Sequence, residues 1–170
     1  MSSMNLAPES LHTIRFGDCD AFGHLNNARY FDCFINARND HVLDTYHIDL
    51  PAYAQQGLSW VISGHEIVYL RPAKYNERVR IRSTLLALDK ERVWLELAMM
   101  NAERTHLKAL LWTRWVPVDV KTGRKREHPA DFMDFFLRTV WPEDLSGMSL
   151  QERATQLVAE FNGETKSSHA

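Results

Sequence analysis

The order of periodicities along the chain predicts an α+β domain in which one long helix packs on an antiparallel sheet. Three observations carry this. Residues 28–43 hold neither Pro nor Gly and set Tyr30, Phe34, Ala37 and His41 at helical spacing. From about residue 58 to residue 120 the period changes to alternation, and the alternating segments are separated by short polar turns.

Residues 11–16 read as a short strand that runs into a polar loop, 17–27, containing Gly17 and Gly23. Asn26 or Asn27 can cap the helix that follows, because a short amide side chain accepts a bond from an otherwise unpaired first-turn N–H. Phe31, Ile35 and Val42 lie on neighbouring faces, so the helix is expected to be apolar around most of its circumference and wrapped by other structure. A short helical turn from Pro51 ends at Gly57. In the first long strand, 58–70, the apolar parity shifts between Ile62 and Ile67 with Gly64 between them, which predicts a bulge. Residues 78–88 place Val79, Ile81, Ser83, Leu85 and Ala87 on one face and Arg78, Arg80, Arg82 and Thr84 on the other. Strands 93–100 and 107–120 complete an expected antiparallel meander, with turns at 89–92 and 101–105.

After residue 128 the chain turns helical. Residues 131–140 carry Phe132, Phe135 and Phe136 and stop at Trp141-Pro142. Ser149 and Glu152 form a capping box for a last helix with the stripe Leu150, Ala154, Leu157, Val158 and Phe161. That stripe needs a partner surface, on this domain or on a neighbouring subunit. The polar end, 163–170, is expected to fray.

The 170 residues, 45% hydrophobic, suit one domain with a genuine core. Lys and Arg against Asp and Glu give 20 − 22 = −2, so no general positive field favours nucleic acid. Apolar runs fall far short of the roughly 20 residues that cross a bilayer, and the first ten residues carry no signal-peptide pattern; a cytoplasmic protein without membrane contact is expected. Cys19 and Cys33, lacking CxxC spacing, are expected to be reduced and buried.

Ionisable side chains, glycine and a helix start converge only in residues 15–30. If 16–20 stays extended, Asp18 and Asp20 share a face and Asp20 looks toward the helix N-terminus, where free N–H groups and the positive end of the dipole lie. A carboxylate beside fixed donors is suited to attack on a carbonyl, the donors binding the oxygen that turns negative. The dipole favours the carboxylate anion, and so direct attack or positioning of water over full proton abstraction. Taken alone, an Asp before a helix is more often a cap or turn former. Asp18 reads as a structural partner of Arg15 or of loop N–H groups. A metal on Asp18, Asp20 and His24 fits no standard ligand set, and Cys19, with no His partner, reads as an inert thiol. His41, His47, His65, His106 and His128 read as surface or satisfied core residues. The Arg78, Arg80 and Arg82 ladder and the basic turn 121–126 read as solvated. Trp112, Trp115 and Phe136 fit either core or subunit contact.

Residues 15–30, with Gly17-Asp18-Cys19-Asp20, Gly23-His24-Leu25-Asn26-Asn27 and Tyr30, resemble the signature of hotdog-fold acyl-CoA thioesterases of the 4-hydroxybenzoyl-CoA thioesterase family. Tyr69-Leu70-Arg71-Pro72-Ala73-Lys74-Tyr75-Asn76-Glu77 is similar to a second, looser pattern. The likeness spans about residues 11–128. It implies a hotdog domain over 1–128, an antiparallel sheet wrapped around one central helix, and leaves 129–170 as a C-terminal helical extension. The extension could cover the sheet, extend an interface or cap an acyl tunnel. The resemblance further implies that Asp20 is the catalytic carboxylate and that helix-start amides, chiefly that of Asn27, polarise the thioester carbonyl. Gly23, His24 and Asn26 belong to the same loop, with His24 and Asn26 matching the fatty-acyl branch and His24 a hydrogen-bonding residue rather than a base. Tyr30 would line the acyl pocket, and Ser59 could position water. Members are dimers or tetramers with the site between subunits, so a homodimer or homotetramer is implied. Arg71, Lys74, Lys90 and Arg92 are candidates, by position, for the phosphates of coenzyme A.

The expected function is thioester hydrolysis of acyl-CoA, with acyl carrier protein as an alternative carrier of the substrate, and with no metal or bound cofactor. The alternative is a non-catalytic hotdog module that binds acyl-CoA or acyl carrier protein. A dehydratase or hydratase would need a His and Asp dyad, and His24 reads as a hydrogen-bonding residue rather than a base.

Overall fold

The computed structural model describes residues 4–167, with side chains as far as residue 162. The elements are β1 (Glu9–Thr13), α1 (Asn27–Tyr46), β2 (Leu58–Tyr69), β3 (Arg78–Leu88), β4 (Val93–Asn101), β5 (Leu107–Asp119), α2 (Ala130–Phe136) and α3 (Leu150–Ser167). The five strands form one antiparallel sheet in the order β1-β3-β4-β5-β2. With α1 against it, this is the hotdog architecture.

Asn26 caps α1 by accepting from the Ala28 N–H at 3.0 Å, and His47, in the left-handed region at φ 58°, ends it. Its buried residues Tyr30, Phe34, Ala37, Arg38, His41 and Val42 recur at helical spacing. The remaining circumference is more open than expected: Leu43 is exposed, and Phe31 and Ile35 are only half-buried. Within one chain the sheet covers α1 on one side only.

Strands β3, β4 and β5 form the expected meander, but β2 does not sit beside β3. It pairs with β5 at the opposite edge, and residues 70–77 cross under the helix start to reach β3. That crossing is tied down by Ala73, whose N–H donates to the Tyr30 hydroxyl at 3.1 Å and whose carbonyl accepts from Leu25 at 2.8 Å. Alternation reveals a strand's faces but not its neighbour. The Gly64 irregularity is present, as a register shift between Ile62 and Gly64. A second shift, between Leu85 and Ala87, turns Ala87 out to solvent, where plain alternation had placed it inside.

Both faces of the sheet are covered. On the inner face Phe34, Ala37 and Tyr30 of α1 meet Val79, Ile81, Leu95, Leu97, Met99, Ala109 and Leu111, with Phe132 and Phe136 of α2 joining the same cluster. On the outer face Leu150, Ala154, Leu157 and Phe161 of α3 pack on Leu86, Ala98, Met100, Leu107, Leu110 and Trp112. Every residue of β4 except Trp94 is buried in consequence. The capping box forms as read, the Ser149 N–H donating to Glu152 and the Glu152 N–H to Ser149; Val158 lies at the rim of the stripe, partly exposed. α2 is shorter than expected, ending at Phe136 and tightening into one turn over 137–139. The backbone of α3 stays helical to Ser167; the rest of the expected frayed end lies outside the described residues. Among the described residues no helix is long and apolar enough to cross a membrane.

Candidate active site

The loop before α1 is not extended from 16 to 20. Phe16–Asp18 form a single helical turn, and only then does Cys19 pair with Leu25 across a narrow bridge. Asp20 therefore stands at the tip of a closed turn: its N–H donates to the His24 carbonyl at 2.8 Å, and its carbonyl accepts from Gly23 at 3.0 Å. Gly23, at φ 74°, supplies the left-handed conformation that this turn requires. The Asp20 carboxylate is exposed, and its Oδ1 accepts from the Phe22 and His24 N–H groups at 2.9 and 3.2 Å. Asp20 is thus a turn former as well as a solvent-facing anion. Asp18 accepts from Asn26 through its carbonyl at 2.9 Å and pairs with Arg29 at 3.8 Å, so it serves the loop, with Arg29 in place of the expected Arg15. Cys19 and Cys33 are free thiols, half-buried rather than buried. Burial pushes Cys33 up to about 11, with the nearby Asp18 adding to it.

The loop is clamped to the helix start, where Asn26 spends its side chain on the cap. Asn27, the first helical residue, is exposed, and its N–H has no acceptor among the described residues. Its carbonyl accepts from the Tyr69 hydroxyl at 3.1 Å, which ties the end of β2 to this point. Tyr30 is buried, spends its hydroxyl on Ala73, and meets the Tyr69 ring edge to face at 5.1 Å. Burial pushes its phenol above the usual value.

Ser59 lies elsewhere. It lines an apolar cavity of about 220 Å³ between the C-terminal half of α1 and the sheet, walled by Trp60, Leu85, Leu95, Trp115, Phe132 and Phe136. Trp60, Phe132 and His128 form an aromatic stack behind it, with the Trp60 indole N–H donating to His128 Nε2 at 3.1 Å. Arg38, on the cavity wall, is 11 residues along α1 from Asn27, about 16 Å at 1.5 Å per residue. The cavity and the Asp20 loop are therefore at opposite ends of the helix. They are also at opposite ends of β2, a strand with no neighbour on its outer edge among the described residues and with Val61, Ile62 and Tyr69 exposed.

The four basic candidates separate. Arg71 and Lys74 border one polar cleft with Tyr75, Asn76, His106 and Lys108. Lys90 and Arg92 sit on the β3–β4 turn at the other end of the sheet, where they pair with Glu127 and Asp89 at 3.8 and 3.7 Å. His106 and Lys108 escape sequence reasoning, since a lone His in a turn and a lone Lys in a strand carry no pattern. Burial, with Lys108 and Arg71 adding to it, holds His106 below its ordinary value. Arg38 escapes it too, although its spacing from Tyr30 and Phe34 already sets it on the inward face of α1. Among the described residues no group of three His, Cys, Asp or Glu side chains is placed to hold a metal ion.

Known structures share this architecture. An oleoyl thioesterase of Lactobacillus plantarum superposes with a TM-score of 0.69 at 20% identity over 75% of this chain, which spans about half (49%) of that longer protein. A hypothetical Staphylococcus aureus protein in complex with CoA gives 0.70 at 16% identity, covering 81% of this chain and 90% of its own. A 1,4-dihydroxy-2-naphthoyl-CoA thioesterase of Synechocystis gives 0.67 at 17%, covering 75% and 93%. At these identities the likeness is one of fold, and no curated protein sequence matches the chain. The sequence profile of the thioesterase-like superfamily matches residues 14–136, from the last residue before the Asp20 loop to the end of α2. Covering well over half of the chain and enclosing both the loop and the cavity, that match places the chain in the thioesterase-like superfamily.

Proposed function

We propose that this protein hydrolyses acyl-CoA thioesters, releasing the free acid and coenzyme A, at a site that two copies of the chain complete. The observation that carries the reading is the division of parts along β2. One end is tied to a solvent-facing carboxylate and an unpartnered N–H; the other opens on an apolar cavity. Two-fold antiparallel pairing of β2 with its copy sets the cavity end of one strand beside the Asp20 end of the other. It also covers Val61, Ile62 and Tyr69, and satisfies a 12-residue edge that is otherwise open.

In such a crevice the acyl chain enters the cavity of one copy, and its thioester carbonyl meets the Asn27 N–H of the other. That N–H stabilises the oxyanion of the tetrahedral intermediate. Asp20, its Oδ1 fixed by two loop N–H groups, attacks the carbonyl carbon or orients the water that does. Collapse of the intermediate expels the coenzyme A thiolate, which with a thiol pKa near 8.5 departs without a strong acid; where Asp20 is the nucleophile, water then cleaves the resulting acyl-Asp anhydride to the free acid and restores the carboxylate. The coenzyme phosphates lie toward Arg71 and Lys74 in the polar cleft. Lys108 there is already committed to Glu77 at 2.7 Å, so these two are the available cations. Acyl carrier protein presents the same pantetheine arm and is an equivalent donor.

The engagement of Asp20 in its own turn favours a second reading, a module that binds acyl-CoA without turnover. Thiol release from acyl-CoA decides between them. Asp20→Asn keeps an acceptor for the turn, so its melting temperature should match the wild type while kcat falls by about 10²–10⁴. Undiminished turnover in the variant removes Asp20 from the chemistry, and absence of turnover in the wild type leaves the binding module.

A further inference from the structure

The cavity contains one charge that its apolar walls do not explain. Arg38 is 7% exposed, and no carboxylate among the described residues lies within ion-pair distance of it. Its acceptors there are the Ser83 hydroxyl, at 3.3 Å from Nη1, and the Tyr46 phenol, both neutral. A guanidinium offers five N–H donors and is almost never buried without an anion. Burial lowers Arg38 to about 10, which leaves it charged at neutral pH. The group behind Ser83 is neutral as well: His41 bonds Ser83 at 2.8 Å and Ser10 at 2.7 Å, and burial with the neighbouring Arg38 and His12 holds it down to about 4.

The other polar side chains on the cavity wall are Asn39 and Ser59. Exposed Asn39 and half-buried Ser59 mark the open side, and buried Arg38 the closed one. Trp115, also on the wall, holds a buried indole N–H without an acceptor among the described residues. The volume, about 220 Å³, equals roughly seven waters at ~30 Å³ each and admits a short or medium chain.

We propose that the cavity selects acyl groups that carry a second carboxylate at their far end, with Arg38 as the specificity-determining residue that receives it. The planar fork of a guanidinium matches a carboxylate in two parallel hydrogen bonds, and the apolar walls between Arg38 and Ser59 suit the methylene spacer. The substrate class is thus the ω-carboxyacyl thioester, a dicarboxylic acid joined to its carrier at one end. This rests on the hydrolase reading for the thioester end, but anion binding at Arg38 can be measured without turnover.

Two arms test it. In the first, calorimetric titration compares octanoate with 1-octanol, equal in length and differing in charge. The wild type should bind octanoate at least tenfold more tightly, and a folded Arg38→Met variant should lose that preference while Arg38→Lys keeps part of it. In the second, thiol release compares adipyl-CoA with hexanoyl-CoA; kcat/KM should favour adipyl-CoA at least tenfold, and the ratio should fall to one or below in Arg38→Met. Equal binding of octanol and octanoate by the wild type overturns the proposal without recourse to any variant. So does a wild-type preference for hexanoyl-CoA. If neither thioester is cleaved but octanoate is preferred, the hydrolase reading fails and the anion pocket stands.

Discussion

The two faces of the sheet solve opposite problems with the same strands. The outer face is closed. Its buried carboxylate, Glu96, is met by the equally buried Arg153 in a paired contact at 2.9 and 3.1 Å and by the Trp112 indole N–H at 3.0 Å. The inner face also buries a cation, Arg38, but gives it only neutral hydroxyls and leaves a cavity beside it. An ion pair seals a surface that has no further task, whereas an unmatched cation next to open space marks a surface still waiting for its anion.

Breaking the outer pair should expose this difference most strongly. Arg153→Ala strands Glu96 in the core and should lower the unfolding free energy by about 3–5 kcal/mol in urea titrations. Activity per folded molecule should be unchanged, since α3 touches neither the cavity nor the Asp20 loop. A parallel loss of kcat in the folded fraction would mean that the faces are coupled.

The inner face should respond to acid. His41 sits near 4 in the folded protein against 6.5 for the free side chain, so the unfolded chain binds the extra proton between those values. Its contribution is therefore full above pH 6.5 and declines as pH falls toward 4, by up to about 3 kcal/mol at 1.36 kcal/mol per unit. Urea midpoints across that window should fall with acid in the wild type and fall less in His41→Asn, which keeps only the share of the other imidazoles that burial lowers, His12 and His128 among them. A smaller test sharpens the outer side alone: Ser149→Ala removes the cap of α3 and should cost about 1 kcal/mol in urea titrations at neutral pH.

Local chemistry was legible where a few adjacent residues determine it. The Asn26 cap, the Gly64 shift, the Gly57 stop and the Ser149 to Glu152 box all appear where the sequence placed them, because each depends on partners within a few positions. The loop motif also marked the turn that carries Asp20, although the extended run expected over 16–20 is a helical turn at Phe16–Asp18. The position of β2 beside β5 did not show, since strand alternation is the same whichever neighbour is chosen. Arg71 and Lys74 are close in sequence and share a cleft, while Lys90 and Arg92, alike in type, were carried away by the length of β3. Arg38 sat in plain view on the inward stripe of α1, but only packing could reveal that no acid among the described residues comes to meet it.

The seat of α3 also restricts how copies of this molecule can be arranged. A helix lying across the outer sheet, fastened by Arg153 and filled in by Leu157, forbids any arrangement in which two sheets stack back to back. A larger complex would have to grow along the strand edges or over the solvent side of α1, so α3 constrains the geometry open to assembly as well as covering the core.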